Sequence, residues 1–165
     1  MEILILRHGE AGKRFAPSNQ DDDRQLTEAG KDEVTQIAQT MKEIGLKFDV
    51  IGTSPLKRAR QTAEIAAKVL DMKKSLEVWE ELKPEGDRKS LYKRLSKLKR
   101  DSSVLIVGHE PYLSTAIGEL ITGGREASVV LKKAGIAKLA ISAFSPVPRA
   151  ELRWLLTPRL AKKVA

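Results

Sequence analysis

Apolar and polar positions divide the chain into alternating strand-like and helix-like segments. The apolar run through Ile3-Leu4-Ile5-Leu6 stops abruptly at Arg7-His8-Gly9-Glu10, as a buried parallel strand does at its carboxyl edge, and predicts a strand over 2–6. From Leu26 to Ile44, Val34, Ile37, Ala38 and Met41 recur at helical spacing; Thr27 can cap this helix and Gly45 stops it. The pattern repeats with a strand over 48–53 and a helix opened by Ser54-Pro55, with Ala59, Ala63, Ala66, Ala67 and Leu70 on its inner faces. A weaker unit follows, strand 76–79 and helix 89–98, and then a sharper one, strand 104–107, Gly108-His109-Glu110-Pro111 and helix 113–120. Strands over 136–142 and 151–156, joined by a proline-containing turn at 144–149, complete the reading.

Alternation of this kind predicts an α/β protein of three layers, α/β/α, around a mainly parallel central sheet of about six strands. At 165 residues, with no repeat, low-complexity tract or linker, the chain is expected to be a single domain over 1–165. The polar stretch 11–25 and the glycine-containing stretch 123–135 are the two segments expected to be mobile.

Composition narrows the chemistry. Hydrophobic residues make up 41% and aromatics 4%, so the core rests on Leu, Ile, Val and Ala. No apolar run reaches the ~18 residues of a membrane span and the N-terminus lacks a basic head and cleavage site, so a soluble, cytoplasmic protein without a membrane partner is expected. The absence of cysteine removes disulfides, thiolate metal sites and cysteine nucleophiles. Thirty Lys and Arg against 22 Asp and Glu leave a net charge of +8, which favours phosphorylated or otherwise anionic partners without naming one.

Open parallel sheets bind ligands at the carboxyl ends of their strands. Three polar motifs fall there, Arg7 to Glu10, Ser54 to Thr62 and Gly108 to Glu110, and they hold both histidines of the chain, each beside a glycine. A neutral imidazole can attack phosphorus through one nitrogen while its other N–H is held by a carbonyl or carboxylate, which makes His8 the candidate nucleophile, with Gly9 allowing close backbone approach. Charge spread over three phosphoryl oxygens calls for fixed cations, and arginine meets such oxygens bidentately; Arg7 and Arg58 are the candidates.

The chain resembles the histidine phosphatase superfamily, and its short length resembles that of the SixA-type phosphohistidine phosphatases. The resemblance is carried by Leu6-Arg7-His8-Gly9-Glu10-Ala11, Leu26-Thr27-Glu28-Ala29-Gly30, Ser54 to Ala63, Glu81-Leu82, Pro84, Gly86-Asp87, Val107 to Pro111 and Leu156-Thr157-Pro158. It implies a phosphoglycerate mutase-like fold, a covalent phosphohistidine on His8, and Arg7, Arg58 and His109 around the phosphoryl group, with no metal and no cofactor. Glu81 best matches the carboxylate that protonates an oxygen leaving group in many relatives, Glu80 being its competitor; an imidazole leaving group needs less help. Ser54 is read chiefly as a helix cap that can also touch the phosphoryl group, Glu10 as either a lining of the mouth or a solvated loop residue, and Arg60 as pointing elsewhere.

The expected substrate is thus a phosphohistidine-bearing phosphotransfer protein, with a small phosphorylated metabolite and a broad-specificity phosphomonoesterase as the alternative. A basic module binding nucleic acid or a phospho-ligand without catalysis is the rival of another class. It leaves the three strand-end motifs unexplained, and no nucleic-acid motif accompanies the basic runs 88–100 and 149–163.

Overall fold

Alternate residues of the first strand feed two separate cores. In the computed structural model, which describes residues 1–13, 21–124 and 127–164, β1 (Glu2–Arg7) sends Ile3 and Ile5 to one face of the sheet and Leu4 and Leu6 to the other. All four are fully buried, which is why the run reads as continuously apolar. The sheet contains β2 (Val50–Thr53), β3 (Leu76–Val78), β4 (Ser103–Gly108), β5 (Ile136–Ala143) and β6 (Arg149–Leu156) besides β1, in the order β3-β2-β4-β1-β5-β6. The pairs β1/β4, β2/β4 and β2/β3 are parallel, while β5 is antiparallel to both β1 and β6, so β5 alone runs against the other strands.

Helices α1 (Glu28–Glu43), α2 (Lys57–Val69) and α5 (Pro158–Val164) cover the face that carries Leu4 and Leu6, through residues such as Ile37, Met41, Ala63 and Ala161. Helices α3 (Arg88–Leu95) and α4 (Tyr112–Thr122) cover the opposite face, packing Leu91, Leu95, Leu113 and Ile117 with the buried Trp79 against Ile3 and Ile5. The three expected layers are present.

Three details differ from the sequence reading. Helix α2 begins at Lys57 rather than at Ser54-Pro55, with Leu56 as its extended N-cap residue. Helix α5 was not expected: its seven residues are too few to show a period, although Pro158 at its first position and the Thr157 hydroxyl, accepting from Leu160 N–H at 3.3 Å, are start signals. The stretch 123–135 is tied down from Leu131 onward, because Ala134 N–H donates to His8 O and Gly135 O accepts from Arg7 N–H. Residues 14–20 of the first polar stretch and 125–126 of the second lie outside the described residues. Among the described residues no helix is long and apolar enough to cross a membrane.

Candidate active site

The sheet order sets the carboxyl ends of β2, β4 and β1 side by side, with Thr53 and Leu6 both in register with Val107. Backbone pairing continues one residue past β1 and β2. His8 N–H donates to Gly108 O at 3.1 Å, Ser54 N–H donates to Val107 O at 3.0 Å, and His8 O accepts from Ala134 N–H at 3.2 Å. His8 and Ser54 therefore ride on the ends of a ladder, and His109, the residue after β4, accepts at its carbonyl from Leu113 N–H at 2.9 Å, so all three backbones are held before any ligand arrives.

His8 and His109 are both buried, with ring centroids 5.1 Å apart and planes tilted by 55°. His8 Nδ1 lies 2.7 Å from its neighbour's carbonyl, Gly9 O, so Nδ1 carries the proton and Nε2 the lone pair. Burial pushes the His8 pKa down to about 4 against the upward pull of that carbonyl bond, and Arg58, Arg7 and Arg24 add to the depression. His109 is pushed lower, to about 2, by burial and then by His8, Arg58, Arg24 and Arg7. Both rings are neutral at neutral pH.

Ser54 is not the N-cap residue of α2. Its hydroxyl oxygen accepts from Leu56 N–H at 3.3 Å and lies 2.8 Å from His109 Nε2, so it joins the start of α2 to the second histidine. Arg58, in the first turn of α2 and 3% exposed, donates from Nη1 to Asp21 O at 2.7 Å, with Nη2 3.2 Å from the Asp21 carboxylate. Arg7 donates from Nη1 to Leu131 O at 2.9 Å.

Gly9 serves a packing contact. A Cβ there would meet Gly30 O and Val34 Cγ2, both at 2.7 Å, and a Cβ on Gly30 would meet Glu10 O at 2.1 Å. The close backbone approach is therefore that of α1, whose third residue, Gly30, lets its first turn press on the loop that carries His8. Thr27 completes the joint: its hydroxyl oxygen accepts from Gly30 N–H at 3.0 Å as the cap of α1, and its own N–H donates to Glu10 O at 2.9 Å. Thr62, on α2, closes the other side by accepting from Gly9 N–H at 3.2 Å.

The remaining expected residues lie at the rim or beyond. Glu10 is half exposed and faces Lys133, with Nζ 3.6 Å from its carboxylate. Glu81 sits in the 3-10 turn Glu80–Leu82 that follows β3, where the sequence reading puts it, but its carboxylate is engaged by the Arg94 guanidinium. Burial pushes its pKa up, yet the hydrogen bonds from Arg94 and its own backbone outweigh burial and leave it below the usual carboxylate value. Such a group is held as an anion and is poorly suited to donate a proton. Arg60 points to solvent beside Glu64, 3.8 Å away. Arg24, Asp21 and Thr62 were not singled out from sequence; the first two fall in a stretch read as a mobile loop, although an arginine two residues before Leu26-Thr27 was a usable signal. Among the described residues no cluster of three or more His, Asp or Glu is arranged to hold a metal ion.

The model of the histidine phosphatase superfamily (branch 1) matches residues 3–84. Over 125 residues the chain is 34% identical to the phosphohistidine phosphatase SixA of Escherichia coli (strain K12), which covers 74% of this chain and 76% of that one. The chain belongs to the histidine phosphatase superfamily. An uncharacterized protein of Picosynechococcus sp. (strain ATCC 27264 / PCC 7002 / PR-6) is 39% identical over 144 residues, 84% of each chain. The structure of the protein histidine phosphatase SixA complexed with tungstate superposes with a TM-score of 0.85 at 29% identity, covering 96% of this chain and 98% of that one. The fold is thus the phosphoglycerate mutase-like α/β fold of this superfamily, and the first two strand-end motifs lie within the residues that its model matches.

Proposed function

We propose that the protein is a metal-independent phosphohistidine phosphatase that carries the phosphoryl group on His8 Nε2 and acts on phosphotransfer proteins. The observation that carries this reading is the 2.7 Å bond from His8 Nδ1–H to Gly9 O in a ring whose pKa is pushed down to about 4, because it leaves a neutral, oriented Nε2 nucleophile.

In the first step the Nε2 lone pair forms a bond to phosphorus. The P–N bond to the partner's imidazole breaks, and its electron pair passes to that imidazole, already protonated on its other nitrogen, which leaves neutral. His8 then bears phosphate on Nε2 and a proton on Nδ1, a cation that the Gly9 carbonyl stabilises. In the second step water attacks phosphorus, a proton is lost to solvent, the electron pair returns to Nε2 and orthophosphate departs. Arg7 and Arg58 supply fixed positive charge to the equatorial oxygens.

His109 acts as a neutral donor. In this reading the Ser54 hydroxyl, whose oxygen accepts from Leu56 N–H, gives its own proton to His109 Nε2, and His109 carries its proton on the buried Nδ1, which makes no hydrogen bond among the described residues. No general acid is required for an imidazole leaving group, in keeping with a Glu81 carboxylate held as an anion by Arg94.

Two measurements test the reading. Acid-labile, alkali-stable label should be trapped at His8 during turnover and be absent from His8→Ala; label on His109 alone refutes the assignment. With a chelator present, kcat/KM should be highest for a phosphohistidine protein, ahead of a phosphoserine peptide, a sugar phosphate and an aryl phosphate. A preference for the sugar phosphate would replace the protein substrate with a metabolite, and loss of activity on chelation would contradict the metal-free mechanism.

A further inference from the structure

The chemistry at His8 leaves most of the basic run 88–100 without a role. That run holds seven Lys and Arg and no Asp or Glu, nearly the whole net charge of +8. Helix α3 turns Leu91, Tyr92 and Leu95 inward and leaves Lys89, Lys93 and Arg94 exposed, and Lys97, Lys99 and Arg100 follow it on the surface. Arg94 is held by Glu81, and Arg88 donates to the Glu119 carboxylate from Nε at 2.9 Å and Nη2 at 2.7 Å. Among the described residues Lys89, Lys93, Lys97, Lys99 and Arg100 form no salt bridge.

Two of these lysines line a cavity. Lys89 and Lys93, one turn apart on α3, give a space of about 620 Å³ its basic side, and Phe144, Pro146, Val147 and Pro148, at the turn between β5 and β6, give it an apolar side. Val147 is 39% exposed, while Phe144 packs on the core beneath. The carboxylates of the cavity are already engaged. Asp87 caps α3 by accepting from Lys89 N–H at 3.2 Å and Ser90 N–H at 2.9 Å, and Glu119 accepts from Arg88 and from the Tyr92 hydroxyl at 2.7 Å. The cavity also stands apart from His8. Strand β5 runs from Ile136, beside Leu6, to Ala140, beside Glu2, and onward, so the turn after it lies at the amino end of β1 and not at the carboxyl end that carries the nucleophile.

We propose that this cavity is a docking site for an extended acidic segment of a partner protein, in which Glu or Asp alternates with an apolar residue. Alternate residues of an extended chain share a face and lie ~6.6 Å apart, close to the ~5–6 Å between Cβ atoms one helical turn apart. Two carboxylates at that spacing meet Lys89 and Lys93 together, while the residue between them turns its apolar side chain to Val147 and Phe144. A nucleic acid backbone presents charge to both sides of the cavity and nothing to bury on the apolar one. The proposal does not depend on the reaction at His8.

The probe is a short peptide of alternating glutamate and leucine, blocked at both ends. Its titration should shift the amide NMR signals of Lys89, Tyr92, Lys93 and Val147 saturably, with an affinity that falls as salt is raised. Changing Lys89→Glu and Lys93→Glu together should weaken binding by more than about tenfold, and Val147→Asp by about tenfold, with kcat/KM for an aryl phosphate unchanged in both. The pair Lys162→Glu and Lys163→Glu alters the net charge equally from α5, on the opposite face of the sheet, and should stay within about twofold of wild type. Equal weakening by the two double variants would reduce the effect to net charge and overturn the proposal, as would the absence of saturable shifts at the cavity. Tighter binding there by a duplex RNA, or by vesicles rich in anionic lipid, than by the peptide would overturn it as well.

Discussion

Ser54 Oγ lies 2.8 Å from His109 Nε2, so a residue that sequence reading places at a helix start is hydrogen-bonded to the second histidine. Replacing Ser54 with Ala removes that partner and frees His109 to exchange tautomers, half of which present no donor to phosphate. We expect kcat/KM to fall about tenfold, in line with one buried hydrogen bond, while far-ultraviolet circular dichroism is unchanged. Unaltered kinetics would show that Ser54 acts only on Leu56.

The pH behaviour follows from the same burial. His8 has its pKa lowered from 6.5 to about 4, so the folded protein binds fewer protons than the unfolded chain between those values. Its contribution to stability is therefore complete above pH 6.5 and is lost as pH falls through 6.5 toward about 4, a loss on the order of 3 kcal/mol. Urea unfolding at a series of pH values should show this decline, and neither ring should titrate in NMR from about pH 8 to about pH 5. A midpoint near 6.5 for His8 would contradict a ring held neutral by its surroundings.

Gly30 offers a test of the joint between α1 and the nucleophile loop. A Cβ there would come within 2.1 Å of Glu10 O, so Gly30→Ala must displace the loop or the helix. Destabilisation of about 1–3 kcal/mol is expected, as for overpacking, with a larger proportional loss in kcat than in KM because His8 is moved relative to His109. Thermal unfolding combined with steady-state kinetics reads both effects.

Glu81 gives the contrasting case. Since Arg94 keeps its carboxylate ionised, Glu81→Gln should leave turnover of a phosphohistidine protein within about twofold of wild type, and the lost pair, partly open to water, should cost under ~1 kcal/mol. A hundred-fold loss with that substrate would restore the carboxylate to the role of proton donor.

Much of this was legible beforehand, for identifiable reasons. Strand ends are visible because the burial of β1 and β4 on both faces makes their apolar runs continuous, and the break at Arg7 or Gly108 is then abrupt. From there the sheet rule alone brings His8, His109 and Ser54 together. What could not be read is contact made by side chains across elements. Thr62 looks like any polar residue on α2 until its hydroxyl is seen accepting from Gly9 N–H, and Glu81 looks available until Arg94 is seen over Trp79 with the carboxylate in its grasp. Arg24 and Asp21 were obscured by their setting in a polar stretch whose amphipathic pattern is absent, since their order comes from charge pairing and not from apolar burial.

The reversed strand β5 has a consequence for how the protein comes into being. Strand β1 is synthesised first, yet both of its neighbours arrive late, β4 at Ser103–Gly108 and β5 at Ile136–Ala143. The first strand must therefore wait, unpaired, while more than half of the chain is made, and long-range closure of this kind is slow. A nascent or truncated chain that ends before Ala134 holds His8, and even His109, without the backbone partners at Ala134 and Gly135 that hold the His8 loop. The order of synthesis therefore leaves the His8 backbone without these two bonds until the chain has passed Gly135.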